Sequence, residues 1–138
     1  MPFAWDTAEA DAYVGRRGRG FIWRPLPDVL VTQLLGRAEI GAARFYIERA
    51  DAIVREGHAV TTFHDWWYVD GYDPEARQAL RAFGADREKF GEVHYLVQST
   101  LVALAITTAA MTLGRKLVAH ARREPFIARL EELLAERG

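Results

Sequence analysis

Apolar and polar positions alternate with two different periods along this chain, and the changes of period mark out the elements. Phe21–Leu26 and Val29–Leu35 are short β-type runs separated by Pro27-Asp28, a pair that reads as a hairpin turn. Gly36 is expected to break the second run. Over Ile40–Glu56 the period becomes helical: Ala43, Tyr46, Ile47, Ala50, Ile53 and Val54 share one face, and Gly57 stands where a helix stops. Phe45 lies off that stripe, either under the N-terminal segment or on an interaction surface. Ala59–Phe63 reads as a strand, followed by a loop from His64 to Asp73.

Asp73, Pro74 and Glu75 form a helix start: a capping residue, a proline at the first helical position and an acid at the positive end of the dipole. Ala76, Ala79, Leu80 and Phe83 give that helix its apolar face, and Gly84 ends it. Val93–Val97 is a buried-strand pattern, and Ser99 or Thr100 can cap the next helix. Leu101–Leu113 is apolar nearly all round, which predicts an enclosed helix stopped at Gly114. Leu117–Ala121 is a weak strand, and Glu124–Arg137 a closing helix with Phe126, Leu130, Leu133 and Leu134 on its buried side. The order is β-β-α-β-α-β-α-β-α. It implies an α/β domain with a mixed four- to five-stranded sheet, right-handed crossovers and one antiparallel hairpin.

Composition narrows this picture. The 138 residues suit one domain. We divide them into residues 1–19, an N-terminal arm ending in the basic, glycine-rich Gly15–Gly20, and residues 20–138, the folded domain. A phosphate-binding reading of GRRGRG needs a strand before it and a helix after it, whereas a strand-like run comes next. A net charge of −1 gives no general attraction to nucleic acid. The basic cluster Arg115, Lys116, Arg122 and Arg123 reads as a solvated face, with His120 on the surface beside it. There is no cysteine, which removes disulfides and thiolate chemistry. The opening residues show neither a basic leader nor an apolar signal core, and Leu101–Leu113 is shorter than the roughly 20 residues of a membrane span. A cytoplasmic protein without stable membrane insertion is expected.

Candidate chemistry is sparse. Ser99 is the only serine and lacks a nucleophile motif. His58, His64, Asp65, Asp70, Asp73 and His94 could gather at strand ends, but their spacing matches no metal-ligand motif. His58 and His64 are expected at opposite ends of one strand, and His94 as a hydrogen-bonded structural histidine. No metal, cofactor or catalytic set is expected. The distinctive stretch is Trp66-Trp67-Tyr68 with Tyr72. Three adjacent aromatics on a strand cannot all face inward, so at least one should be exposed, as an interface anchor, or covered, over a sheet edge or the N-terminal arm.

The element order over Gly20–Gly138, with Val29–Gly36, Thr61–Leu80 and Glu124–Leu134, resembles the STAS domain family, and within it small bacterial anti-sigma factor antagonists. Glu39 lies near the acidic position just after the family's second strand, and Asp70 matches the aspartate of its switch loop. The resemblance implies a non-enzymatic signalling module whose partner is a regulatory kinase, an anti-sigma-factor-like protein or a second copy. Trp66, Trp67, Tyr68, Asp70, Tyr72 and Asp73 are then the expected partner-binding residues. This chain departs from the family in having no Ser or Thr between His64 and Arg81, which removes the usual phosphorylation switch. The alternative is a small-ligand or lipid-binding protein of the same fold. A metal- or carboxylate-dependent enzyme is the third reading.

Overall fold

The computed structural model describes residues 10–109 and 111–137. Their order is β1 (Asp11–Val14), β2 (Gly18–Leu26), β3 (Val29–Ala38), α1 (Ile40–Arg55), β4 (Val60–Tyr72), α2 (Pro74–Phe83), β5 (Phe90–Leu96), α3 (Thr100–Ala109), β6 (Leu117–His120) and α4 (Arg123–Arg137). The strands form one six-stranded sheet in sequential order. β1, β2 and β3 pair antiparallel, and β3 through β6 pair parallel.

Two cores lie on the two faces of the sheet. Leu30, Leu34, Val60, Val93 and Tyr95 pack with Tyr46 and Ile53 of α1 and with Val102 and Ile106 of α3. Leu80 and Phe83 of α2 pack against the same cluster. On the other face Val29, Val31, Phe63 and Leu96 meet Phe126, Leu130 and Leu133 of α4. Alternate residues of β3, Leu30 and Val31 for example, thus enter different cores, as the pleat requires.

The sheet holds one strand more than the upper end of the expected range. The addition is β1, inside the segment expected to be an arm, and the boundary drawn at residue 19 falls within β2. Residues 1–9 of that expected arm lie outside the described residues. The basic turn between β1 and β2 is tied down because the Glu39 carboxylate accepts the backbone N–H groups of Arg16 and Arg17. Tyr13 of β1 lies 5.6 Å from the Phe45 ring, with the Arg49 guanidinium 3.6 Å from the ring centre. Phe45 is therefore covered by the N-terminal strand.

Gly36 does not end β3. It adopts φ +89° and a Cβ there would lie 2.5 Å from the Arg17 carbonyl, so glycine lets the strand continue beside the β1–β2 turn. Helix α3 ends earlier than its apolar run suggests and is not enclosed. Val102 and Ile106 are buried, but Leu101 and Leu104 are 71% and 64% exposed because only one side of α3 meets the molecule. The rest of that run enters a 3-10 turn, Met111–Lys116, in which Leu113 is buried and Gly114 takes φ +56°.

The largest departure is β4. The expected strand over Ala59–Phe63 continues through the expected loop to Tyr72. From Gln33 to Leu35 β3 advances two residues while β4 advances three, Asp65 to Tyr68. From Gly36 to Arg37 β3 advances one while β4 advances two, Val69 to Gly71. Each mismatch is a bulge, which breaks the alternation on which a strand is recognised.

Candidate functional site

The bulges in β4 decide which way its aromatic side chains face. Trp66 and Val69 both enter the core under α1–α3, and Tyr72 packs against it, a spacing of three residues in place of two. Trp67 packs on the α4 core, where the Arg123 guanidinium lies 5.4 Å from its ring centre. Tyr68 is 42% exposed and Asp70 is exposed. The six residues expected to form one partner surface are therefore spread over both faces and a rim. The expectation that the aromatic run could not all face inward holds.

What the inward residues build is a cavity between the sheet and α1–α3. One chamber, of about 60 Å³, is lined among others by Trp66, Tyr72, Phe83, Phe90, Tyr95 and Ile106. A second, of about 40 Å³, runs toward β1 and β2 and is lined among others by Tyr13, Ile22, Leu34 and Phe45. Ala38, Tyr46, His64, Trp66, Ala76 and Leu80 line both, so they form the shared wall. Both chambers are small, and their linings are mainly apolar.

His64 is the polar centre of that wall. It is 2% exposed, its ring stacks on Tyr95 at 4.4 Å, and Tyr46 meets it edge-on at 4.7 Å. Burial pushes its pKa down to about 3, so the ring is neutral. Nδ1 lies 2.7 Å from the Thr32 hydroxyl, whereas Nε2 is buried with no hydrogen-bond partner among the described residues. A buried polar atom without a partner costs about 1–3 kcal/mol. Beside it the Tyr46 hydroxyl shares a 2.9 Å hydrogen bond with Thr62, and burial raises the phenol to about 12.

Asp73 stands at the start of α2 but makes no side-chain cap bond. Its carboxylate takes an ion pair from Arg37 Nε at 2.6 Å and a second from Arg17 at 3.5 Å. Arg37 also donates to the Tyr72 carbonyl at 2.9 Å, and the Asp73 N–H to the Ala38 carbonyl. The Asp73 hydrogen bond raises the Arg37 pKa. The residue ties β3 to the β4–α2 junction, next to Tyr72 and Ala38 of the cavity lining, a role its capping position does not reveal.

A second polar group lies under α4. Arg129 holds Glu92 through two bonds of 2.9 and 2.6 Å. Glu92 accepts from His94 Nε2 at 2.8 Å, and His94 Nδ1 lies 2.9 Å from His120 Nε2. Arg129, then burial and His94, set the Glu92 pKa, which falls to about 2. Burial lowers both histidines. His94 is the structural histidine expected. His120 is not on the open surface, because β6 pairs it in register with Leu96 and its ring centre lies 5.2 Å from that of His94. These groups touch one another directly, and among the described residues no cluster of three or more His, Asp and Glu is arranged to hold a metal ion. His58 is exposed before β4 begins, while His64 is inside it. Ser99 accepts the Val102 N–H at 3.3 Å, as a helix cap should.

Sequence reasoning missed the partnership of His64 with Tyr95. The two are adjacent in register between β4 and β5, a relation that becomes visible only when the strands are paired.

No protein-family model and no curated protein matches this sequence. Solved structures do match by shape. An uncharacterized protein of the DUF3478 family from Shewanella loihica, with a SpoIIAA-like fold, aligns with TM-score 0.57 and 15% identity over 88% of this chain and 94% of its own. An anti-sigma factor antagonist from Mycobacterium paratuberculosis aligns with TM-score 0.53 and 13% identity over 83% of this chain and 94% of its own. The fold is therefore STAS-like, of the SpoIIAA type. No helix among the described residues is long and apolar enough to cross a membrane.

Proposed function

We propose that this protein is a non-catalytic binding module that holds a small, largely apolar molecule between its sheet and α1–α3. The observation that carries this is the pair of apolar chambers with a common wall centred on His64. Bulky aromatic and aliphatic side chains, Trp66, Phe83 and Ile106 among them, offer contact area in the first chamber, while the few polar groups can orient an occupant. The only serine is used as a cap, Asp73 is used in ion pairs, and Glu39, which lines the second chamber, accepts backbone N–H groups. Native mass spectrometry of protein purified from its own host is expected to reveal a bound molecule that leaves on organic extraction. Trp66→Phe, Ile106→Trp and Leu80→Trp should reduce its retention. Retention unchanged by chamber-filling tryptophans would overturn the reading.

A second reading is contact with a protein: a regulatory kinase, an anti-sigma-factor-like protein or a second copy. It is favoured by the exposure of Tyr68 beside Asp70, and by the shared fold of the Mycobacterium anti-sigma factor antagonist. Affinity purification with Tyr68→Ala and Asp70→Lys tests it. Equal partner recovery and equal mass in solution for both variants would remove that edge of β4 as an interface.

A further inference from the structure

We propose that the outer side of α3, with the arginines at its two ends, is a reversible docking surface for an anionic phospholipid bilayer. It is independent of the cavity, which the inner side of the same helix lines.

The sequence sets the charge. From Val93 to Arg123 the chain has four basic residues, Arg115, Lys116, Arg122 and Arg123, and no acid, although its net charge is −1. This tract is therefore positive while the rest of the chain holds an excess of acid. Within α3 no residue is charged.

The fold turns apolar side chains outward. Leu101, Leu104 and Thr108 share one stripe of α3, on the side away from the buried Val102 and Ile106. Met111, where the 3-10 turn begins, is exposed as well. Three of the six large apolar side chains exposed among the described residues thus fall in this one segment. Scattered exposed apolar residues are ordinary, but a cluster marks a contact. The hydroxyls of Thr107 and Thr108 donate to the Ala103 and Leu104 carbonyls at 2.9 Å, and that of Thr112 to the Gly84 carbonyl at 2.9 Å. These groups are supplied without water, as an apolar medium requires.

Arginines bracket the stripe. The Val97 N–H donates to the His120 carbonyl at 3.0 Å, which sets the turn bearing Arg122 beside the loop that opens α3. Arg122 is exposed and meets Glu124 at 3.9 Å. Arg115, at the other end, is exposed and has no ion pair among the described residues. Lys116 is used on the Arg87 and Phe90 carbonyls, and Arg123 lies over Trp67. Asp86–Lys89, the segment that Lys116 touches, has two acids and two bases and adds no net charge.

A bilayer fits this arrangement better than a protein does. Protein interfaces ring an apolar centre with hydrogen bonds, about ten in each, and the threonine hydroxyls here are already used. A second copy laid face to face would set the arginines of one stripe against those of the other, whichever way the helices run. In a bilayer the leucines enter the boundary between headgroups and acyl chains while both guanidinium groups reach lipid phosphates. At ten residues α3 has about half the length of a span, so it lies on the membrane rather than across it.

Co-sedimentation of the full chain with vesicles of mixed phosphatidylglycerol and phosphatidylcholine tests this, with pure phosphatidylcholine vesicles as the comparison. Binding is expected to the anionic vesicles, several-fold weaker to the zwitterionic ones, and weaker as salt rises. Leu104→Asn should reduce the affinity about tenfold, and Arg115→Gln and Arg122→Gln about fivefold each. Val14→Asn, which alters an exposed apolar side chain of β1, should change nothing. The chain has no cysteine, so Leu104→Cys or Val14→Cys can carry a polarity-sensitive fluorophore. On anionic vesicles the label at position 104 should shift to the blue and the label at position 14 should not. No binding to anionic vesicles, equal binding to both kinds, equal losses in Leu104→Asn and Val14→Asn, or an unshifted label at position 104 would each overturn the proposal. So would a doubled mass in solution that Leu104→Asn abolishes, because a second copy would then cover α3.

Discussion

The imidazoles of His94 and His120 are joined edge to edge by a 2.9 Å hydrogen bond while their planes lie within 20° of each other. One ring donates and the other accepts, so the pair requires at least one neutral histidine. Burial lowers the pKa of both, and that of His64 to about 3.

A histidine whose pKa falls on folding stabilises the native state fully above its unfolded value near 6.5. That contribution is lost as pH drops from there toward the folded value. Glu92 behaves likewise but over a lower window, from its unfolded value of 4.5 down to about 2. Loss of stability is therefore expected to begin near pH 6.5, with His64 alone contributing about 2 kcal/mol between pH 7 and pH 5. Thermal melts across that range should fall by several degrees, and His64→Phe should flatten the slope. A Tm independent of pH from 7 to 5 would contradict the buried neutral rings.

Asp73→Asn separates two roles of one residue. Asparagine caps helices as well as aspartate does, so a capping role predicts no change. The pairing with Arg37 and Arg17 predicts a Tm lower by roughly 2–4 °C, with the difference shrinking in high salt. Melts at low and high ionic strength decide between them.

The aromatic run should divide by side-chain direction. Trp66→Ala removes a core side chain and is expected to cost about 3–5 kcal/mol, whereas Tyr68→Ala should stay within about 0.5 kcal/mol. Urea denaturation of the two variants measures this. Similar costs would mean that β4 does not carry the bulge between them.

Two glycines contrast space with backbone conformation. A Cβ on Gly20 would lie 2.3 Å from the Gln33 carbonyl, so Gly20→Ala must push β2 from β3, at about 3 kcal/mol. Gly57 has φ +94° and open space around it, so Gly57→Ala should cost only the conformational strain, about 1 kcal/mol. Equilibrium unfolding should rank them in that order.

Much of this architecture was legible because periodicity survives wherever an element is regular. α1 and α4 lie within a residue of their expected spans, and the Pro27-Asp28 hairpin joins β2 to β3. Two things were hidden. β1 is four residues with mostly exposed side chains, so no apolar pattern marked it. In β4 the bulges replace the two-residue period by a three-residue one at Trp66, Val69 and Tyr72, which reads as irregular sequence. The site was hidden for a related reason. Its wall joins residues from β3, α1, β4 and α2 that share no local spacing, and the distinctive tryptophans drew the expectation of a surface.

The surplus residues of β4 make chain length a variable in its own right. Deleting Asp70 would restore step-for-step pairing with β3 between Val69 and Gly71. Gly71 would still lie opposite Arg37 and Tyr72 opposite Ala38, so Tyr72 would keep its place in the wall, and what would go is the local bend that the bulge puts into the strand. The second surplus residue is thus expected to be removable without displacing any side chain that lines the cavity.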